Sequence, residues 1–281
     1  NLLALNLKNT SIISLDLSSI ITLIILNING TSSTPNTKLE NLVLDNLVNL
    51  IIFDIEYLNS LTSLSAKNII KTNKISFPVK NCNSIISVDI TDSTGFDSIG
   101  LVNLPEFTTL TLPTDLTNIT SFTVGNCPKF DSTTFIATLP NLVSLNYVND
   151  DVTALSITSG LNKLTTLSFI YCLYLTNVTL TGSSSTLSML NTLNITGCTA
   201  ITNIACTSLQ SLATVDFNNS TSIVDLDLSN CVLTNLDLSN LSALKNLNVS
   251  NNKLITESAV NITLPTVYTN LESINISSQT Q

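Results

Sequence analysis

Ser222–Leu254 reads SIVDLDLSNCVLTNLDLSNLSALKNLNVSNNKL. One short pattern organises it: an aliphatic residue, a second three positions later, and a third two positions after that. Ile223, Leu226 and Leu228 carry it here. The same triplet stands at Leu2, Leu5 and Leu7, at Leu164, Leu167 and Phe169, and at Leu271, Ile274 and Ile276. A fixed internal period means a solenoid, whose stacked coils bury one continuous core. The second and third members of each triplet sit two apart, which is strand spacing, so both point inward. The first enters from the preceding turn.

The central aliphatics recur at Leu145, Leu155, Leu167, Val178, Leu193, Ile204, Val215, Leu226, Leu236 and Leu247. Two motifs therefore make one coil of about 22 residues. Parallel strands must be joined by crossovers, and right-handed ones are expected. Five residues past a centre stand Cys127, Asp150, Cys172, Cys198, Ser220, Cys231 and Asn252. A side chain there can hydrogen-bond backbone groups that a buried turn leaves unpaired.

On these residues the sequence resembles leucine-rich repeats, whose pattern places Asn or Cys at that turn. It is most similar to bacterial cell-surface repeats with two short leucine motifs per coil. Ser222–Leu254 carries the resemblance best, and the C-terminal half follows it well. The N-terminal half departs from it, with uneven spacing and fewer turn asparagines. The resemblance implies a single leucine-rich-repeat β-solenoid over residues 1–281, with few short helices, placed outside the cell or on its surface. The chain starts and stops among repeats and shows no polar capping coil, so a piece of a longer protein is expected.

Longer segments replace some half-coils. They are 29–39, 92–107, 129–139, 182–189 and 253–270. Gly95 and Gly100 are expected to flank a helical turn. Residues 129–139 read as a short helix, capped by Asp131 or Ser132 and ended by Pro140.

Composition removes whole classes of chemistry. Apolar residues make up 43% and charged residues only 10%, so Asn, Ser and Thr supply most of the polarity. There is no His, hence no imidazole base or metal ligand. All ten cations are Lys, so bidentate guanidinium recognition of phosphate is lost as well. A net charge of −9 opposes nucleic acid and anionic membrane surfaces. No apolar run is long enough to span a bilayer. No phosphate-binding glycine loop and no catalytic triad is present, and the chain reads as no enzyme, with no cofactor and no metal. Asp216, Asp225, Asp227 and Asp237 are the main acidic group, but EF-hand and glycine-aspartate nonapeptide spacings are missing.

The six cysteines form no CxxC pair. They read as buried small hydrophobes, four of them at the turn position. Cys172 and Cys198 fall in successive coils, and a bridge between them requires Cα atoms within about 7 Å. The residues flanking each central aliphatic point outward. One strand series reads Ser144 and Asn146, Thr166 and Ser168, Thr192 and Asn194, Thr214 and Asp216, Asn235 and Asp237. The other reads Asn177 and Thr179, Asn203, Asp225 and Asp227, Asn246 and Asn248. Stacking coils about 4.8 Å apart turns each position into a ladder. The ladders account for solubility and also offer a face for a protein or carbohydrate ligand. Among several Asn-x-Ser/Thr sequons, the loop residue Asn29 is the candidate glycan acceptor.

The sequence thus supports a non-enzymatic, extracellular or cell-surface module that recognises protein or glycan in the manner of an adhesin. The alternative is self-association into a surface layer or filament through exposed strand edges.

Overall fold

A computed structural model of the chain describes residues 1–279 except 9, 37, 52, 53, 255–260 and 267–269. It separates into two compact units, 1–141 and 142–281. Each is a parallel β-solenoid, as the leucine-rich-repeat resemblance implies.

In the first unit one row comprises β2 (Ser14–Asp16), β4 (Asn41–Val43), β6 (Ser63–Ser65), β8 (Ser87–Asp89) and β10 (Thr109–Thr111), paired in that order. A second row comprises β5 (Ile55–Glu56), β7 (Ile75–Lys80), β9 (Phe96–Val102) and β11 (Ser121–Gly125). β1 (Ala4–Asn6) pairs with β3 (Ile25–Asn27). The second unit has a row of β12 (Ser144–Val148), β14 (Thr166–Ile170), β16 (Thr192–Thr196) and β18 (Thr214–Asp216). Its other row runs β13 (Ala154–Ile157), β15 (Asn177–Thr181), β17 (Asn203–Thr207), β19 (Asp225–Asp227), β21 (Asn246–Asn248) and β23 (Ser273–Asn275). β20 (Leu236–Asp237) pairs with β22 (Ile262–Thr263). Every pairing between these strands is parallel, and odd and even strands alternate between rows, so two strands make one coil.

The triplets fill the core as their spacing predicts. Leu164, Leu167, Phe169, Ile223, Leu226 and Leu228 are all buried. In-register packing makes columns of like side chains, and Tyr147 stacks on Phe169 at 5.1 Å with 8° between the rings. The outermost triplets are more open, with Ile274 and Ile276 both 44% exposed.

Each coil must bend sharply without breaking the stack, and left-handed backbone does this. Asn81, Asn103 and Asn126 have φ of 53°, 56° and 50°. Asparagine tolerates that region better than most residues. Their amides also chain the coils together. Asn103 Nδ2 donates to Asn81 Oδ1 at 2.7 Å, and Asn126 Nδ2 to Asn103 Oδ1 at 3.1 Å. Asn251 and Asn230 repeat the device in the second unit at 3.0 Å.

Two segments test the expectations for insertions. Residues 92–107 hold no helical turn; they contain β9 instead. Ile99 and Leu101 alternate inward, and Gly100 lies opposite Pro78 on the neighbouring strand, where strand geometry needs no side chain. Gly95 is a point of close approach rather than a break, since a Cβ there would stand 2.6 Å from the Ile69 carbonyl oxygen. The short helix does form, as α1 (Ser132–Ile136) with Asp131 at its N-cap. Phe122 and Phe135 meet at 4.9 Å and hold it against the strands. Half of the segment 253–270 lies outside the described residues, and the described half contains β22.

Asp131 gives a prediction with a defined pH window. Its carboxylate accepts from Thr134 N at 3.1 Å and from the Thr133 hydroxyl at 2.7 Å. These bonds, Thr134 first, bring its pKa down from 3.8 to about 2. A depressed carboxylate stabilises the folded state above its unfolded pKa, and that contribution fades as pH falls from about 4 towards about 2. Asp131→Ala should therefore speed amide hydrogen exchange at Thr134 at pH 6, consistent with the loss of roughly 0.5–2 kcal/mol of capping. At pH 2 the two proteins should exchange more nearly alike.

Candidate functional site

The outward strand positions fall into straight rows. Ser144, Thr166, Thr192 and Thr214 are in register, and so are Asn146, Ser168, Asn194 and Asp216. The alternation of strand side chains fixes which residues face out, because their neighbours Leu145, Leu167 and Leu193 are fully buried. Ser168 is itself buried. Asn146 Nδ2 donates to Ser144 Oγ at 3.2 Å, and the Thr196 hydroxyl donates to Asn194 Oδ1.

The ladder as a hydrogen-bonded sheet ends at β18. Asn235 and Asp237 belong to the segment around β20, whose backbone bonds forward, from Leu236 N to Asn261 O at 2.9 Å and from Leu238 N to Thr263 O at 2.7 Å. A polar hollow of about 190 Å³ results, lined by Asp216, Asn218, Asp237 and Asn240 with Val215, Phe217 and Leu241. Both carboxylates there are turn-formers: Asp216 Oδ1 accepts from Asn218 N and Asp237 Oδ1 from Ser239 N, each at 2.9 Å. The Ser239 backbone and hydroxyl hold the Asp237 carboxyl below the usual carboxylate range.

The other row carries the wider concavity, a shallow groove of about 340 Å³ on the outward face of β17, β19, β21 and β23. Asn203, Asp225, Asn246 and Ser273 form one rank in register, and Ala205, Asp227, Asn248 and Asn275 form the next. Ala205 has the smallest side chain of that second rank. The polar groups are already ordered. Asn246 Nδ2 donates to Asp225 Oδ1 at 2.6 Å, and Asn248 Nδ2 to Asp227 Oδ2 at 3.1 Å. Asp227 and Asn248 also close turns: Asp227 Oδ1 accepts from Ser229 N at 2.9 Å and Asn248 Oδ1 from Ser250 N at 3.2 Å. Lys245, beside the groove, pairs with Glu272 at 3.6 Å. The groove thus presents amides, hydroxyls and carboxylates.

The turn residues Cys127, Cys172, Cys198, Cys231 and Asn252 are all buried. Cys172 bonds Ile170 O within its own coil, and the other four clip coils together. Cys198 Sγ donates to Phe169 O of the preceding coil at 3.6 Å, Cys127 Sγ to Leu101 O at 3.5 Å, and Cys231 Sγ to Cys206 O at 3.5 Å. Oxygen and nitrogen make a fuller clip. Ser220 Oγ donates to Ile195 O at 2.7 Å and accepts from Cys198 N at 3.0 Å. Asn252 bonds Leu228 O at 2.8 Å and accepts from Leu233 N at 3.1 Å. Burial pushes the Cys82 thiol up to about 12 and the Cys231 thiol up to about 11. No group of three or more acidic or cysteine side chains able to hold a metal occurs among the described residues.

Asn29 is half-buried, and its Oδ1 accepts from Glu56 N at 2.9 Å. Several strand sequons arise from the architecture itself. Asn177 and Thr179 flank an inward Val178, and their side chains bond at 3.1 Å. Asn248 and Ser250 do the same at 2.8 Å.

Sequence reasoning missed the left-handed residue just before each turn side chain, although Asn-Cys at 81–82, 126–127 and 230–231 displays it. It also missed the threonines one place before a strand. Thr165 Oγ1 donates to Val143 O at 3.1 Å and Thr176 Oγ1 to Thr153 O at 2.9 Å. Ala205 as the gap in a polar rank is visible only once the register is known.

No protein-family model and no curated protein matches the chain. Among solved structures it is similar to the functional domain of InlJ from Listeria monocytogenes, described as including a cysteine ladder. That similarity has 18% identity and a TM-score of 0.34, over 93% of this chain and 56% of the other. This chain therefore spans little more than half of that one. It is also similar to the internalin InlF from Listeria monocytogenes, at 16% identity and a TM-score of 0.23, over 94% and 86% of the two chains. A leucine-rich repeat protein from Bacteroides ovatus follows at 12% identity and a TM-score of 0.32, over 97% and 83%.

Proposed function

We propose that the chain is a non-enzymatic recognition module, working outside the cell or on its surface, whose ligand is a protein or glycan seated in the groove over β17–β23. One observation carries this reading. The groove is lined by polar side chains already locked in pairs, Asn246 with Asp225 and Asn248 with Asp227. Side chains ordered before binding cost less to order on binding, so a shallow surface can gain affinity from preorganisation. The carboxylates disfavour polyanions, and the amide ranks suit hydroxyl-bearing or peptide-like partners, which need both donors and acceptors. An exterior rich in Asn, Ser and Thr with few charges fits the surface placement. Among the described residues no helix is long and apolar enough to cross a membrane.

The test is a glycan and cell-surface protein array probed with the wild-type chain and with Ala205→Arg. The substitution fills the groove from an outward, half-buried position. At least one ligand should bind wild type and be lost from Ala205→Arg. Binding that persists unchanged in the variant would rule out the groove.

A further inference from the structure

The second unit also holds a pair of thiols that neither the groove nor the core requires to be thiols. All six cysteines are buried. Cys82, Cys127 and Cys231 donate to backbone carbonyls of a neighbouring coil. Cys198 does so too, to Phe169 O, whereas Cys172 bonds Ile170 O within its own coil.

The strand register places them together. The pairing of β14 with β16 sets Phe169 beside Ile195 and Ile170 beside Thr196. The register continues into the turn, because Tyr171 N donates to Thr196 O at 2.8 Å. The next step sets the Tyr171 ring against Gly197, where a Cβ would stand only 2.4 Å from ring carbon Cδ1. The step after that sets Cys172 beside Cys198. Side by side, each thiol shifts the other: Cys198 holds Cys172 protonated, and Cys172 favours the thiolate of Cys198.

We propose that Cys172 and Cys198 are a cross-linking site, closed to an inter-coil disulfide by a small disulfide oxidant of the glutathione class. In-register parallel rungs stand about 4.8 Å apart, inside the Cα separation of roughly 4.4–6.8 Å that a disulfide accepts. The chemistry is thiol–disulfide exchange. The Cys198 thiolate attacks one sulfur of oxidised glutathione, forming a mixed disulfide and expelling one glutathione thiolate. The Cys172 sulfur then attacks Cys198 Sγ, forming the protein disulfide and expelling the second. The two protons of the protein thiols end on the two glutathiones, and the oxidant is reduced as the protein is oxidised. The link would tie two coils covalently where the thiols now bond only to backbone carbonyls.

Burial limits access to the folded pair, so the decisive experiment forms the bond during folding. The full chain is unfolded, refolded in a mixture of reduced and oxidised glutathione, alkylated, and mapped by mass spectrometry. The same mapping follows prolonged incubation of native protein with oxidised glutathione. The expected result is a linked peptide joining Cys172 to Cys198, with the other four of the six cysteines alkylated. Cys198→Ser should fold and show every remaining cysteine alkylated. Full alkylation of wild type in both arms, or links that join other pairs, would overturn the proposal.

Discussion

Phe169→Ala should lower the unfolding free energy by about 3–5 kcal/mol, read as a fall in the urea midpoint of the second unit's transition. Phe169 is fully buried on β14, in register with Tyr147 before it and Ile195 after it. Its ring stacks on Tyr147 at 5.1 Å, a contact worth about 0.5–1.5 kcal/mol beyond burial. Coils held at fixed spacing by backbone bonds on both sides cannot close over the hole, so the cost should fall in the upper part of the range. Phe169→Leu keeps most of the volume and should cost much less. A pair of equal, small shifts would mean that the column is loosely packed.

The second large effect is expected at Asn252, which touches no outward face. Asn252→Leu keeps the size and removes the clip. It leaves the Leu228 carbonyl and the Leu233 N–H without the partners they have at 2.8 Å and 3.1 Å. Each buried orphan costs about 1–3 kcal/mol, so a total of roughly 2–6 kcal/mol follows. Asn252→Ser should be milder, because Ser220 and Ser93 make the same two-sided clip elsewhere. Ser93 Oγ donates to Ala66 O at 2.7 Å and accepts from Ile69 N at 2.9 Å. Denaturation of both variants beside wild type checks the order. Equal stability of the Leu and Ser variants would show that the turn position is only a space to fill.

These two residues also mark how far the sequence could be read. Phe169 follows from periodicity alone, since a triplet at 164, 167 and 169 has one inward solution. Asn252 follows from its place five residues past a centre, although not from the number of its bonds. The same arithmetic misplaces residues 92–107, where the expected helical turn between glycines is strand β9. Gly100 is harmless in a strand that faces it outward across from Pro78, and Gly95 is there because backbone passes close by. Glycine reports missing volume as readily as a bend, and sequence alone does not separate the two. The ranks Ser144–Thr214 and Asn146–Asp216 were legible because outward residues alternate with buried ones. Their interruption before Asp237 was not, because it depends on β20 bonding forward to residues 261–263. The groove was hidden for a related reason: its shape comes from a small residue, Ala205, between larger neighbours on adjacent coils.

Whether that groove is the recognition face is settled by one comparison of affinities. The strongest array ligand is titrated against wild type, Ala205→Arg, and a variant with Ser144, Thr166, Thr192 and Thr214 all replaced by Lys. The groove reading predicts that Ala205→Arg loses about tenfold or more, at least ~1.4 kcal/mol, while the lysine variant stays within a few-fold of wild type. Loss confined to the lysine variant would move recognition to the β12–β18 face, and no loss in either would contradict recognition through the strand faces.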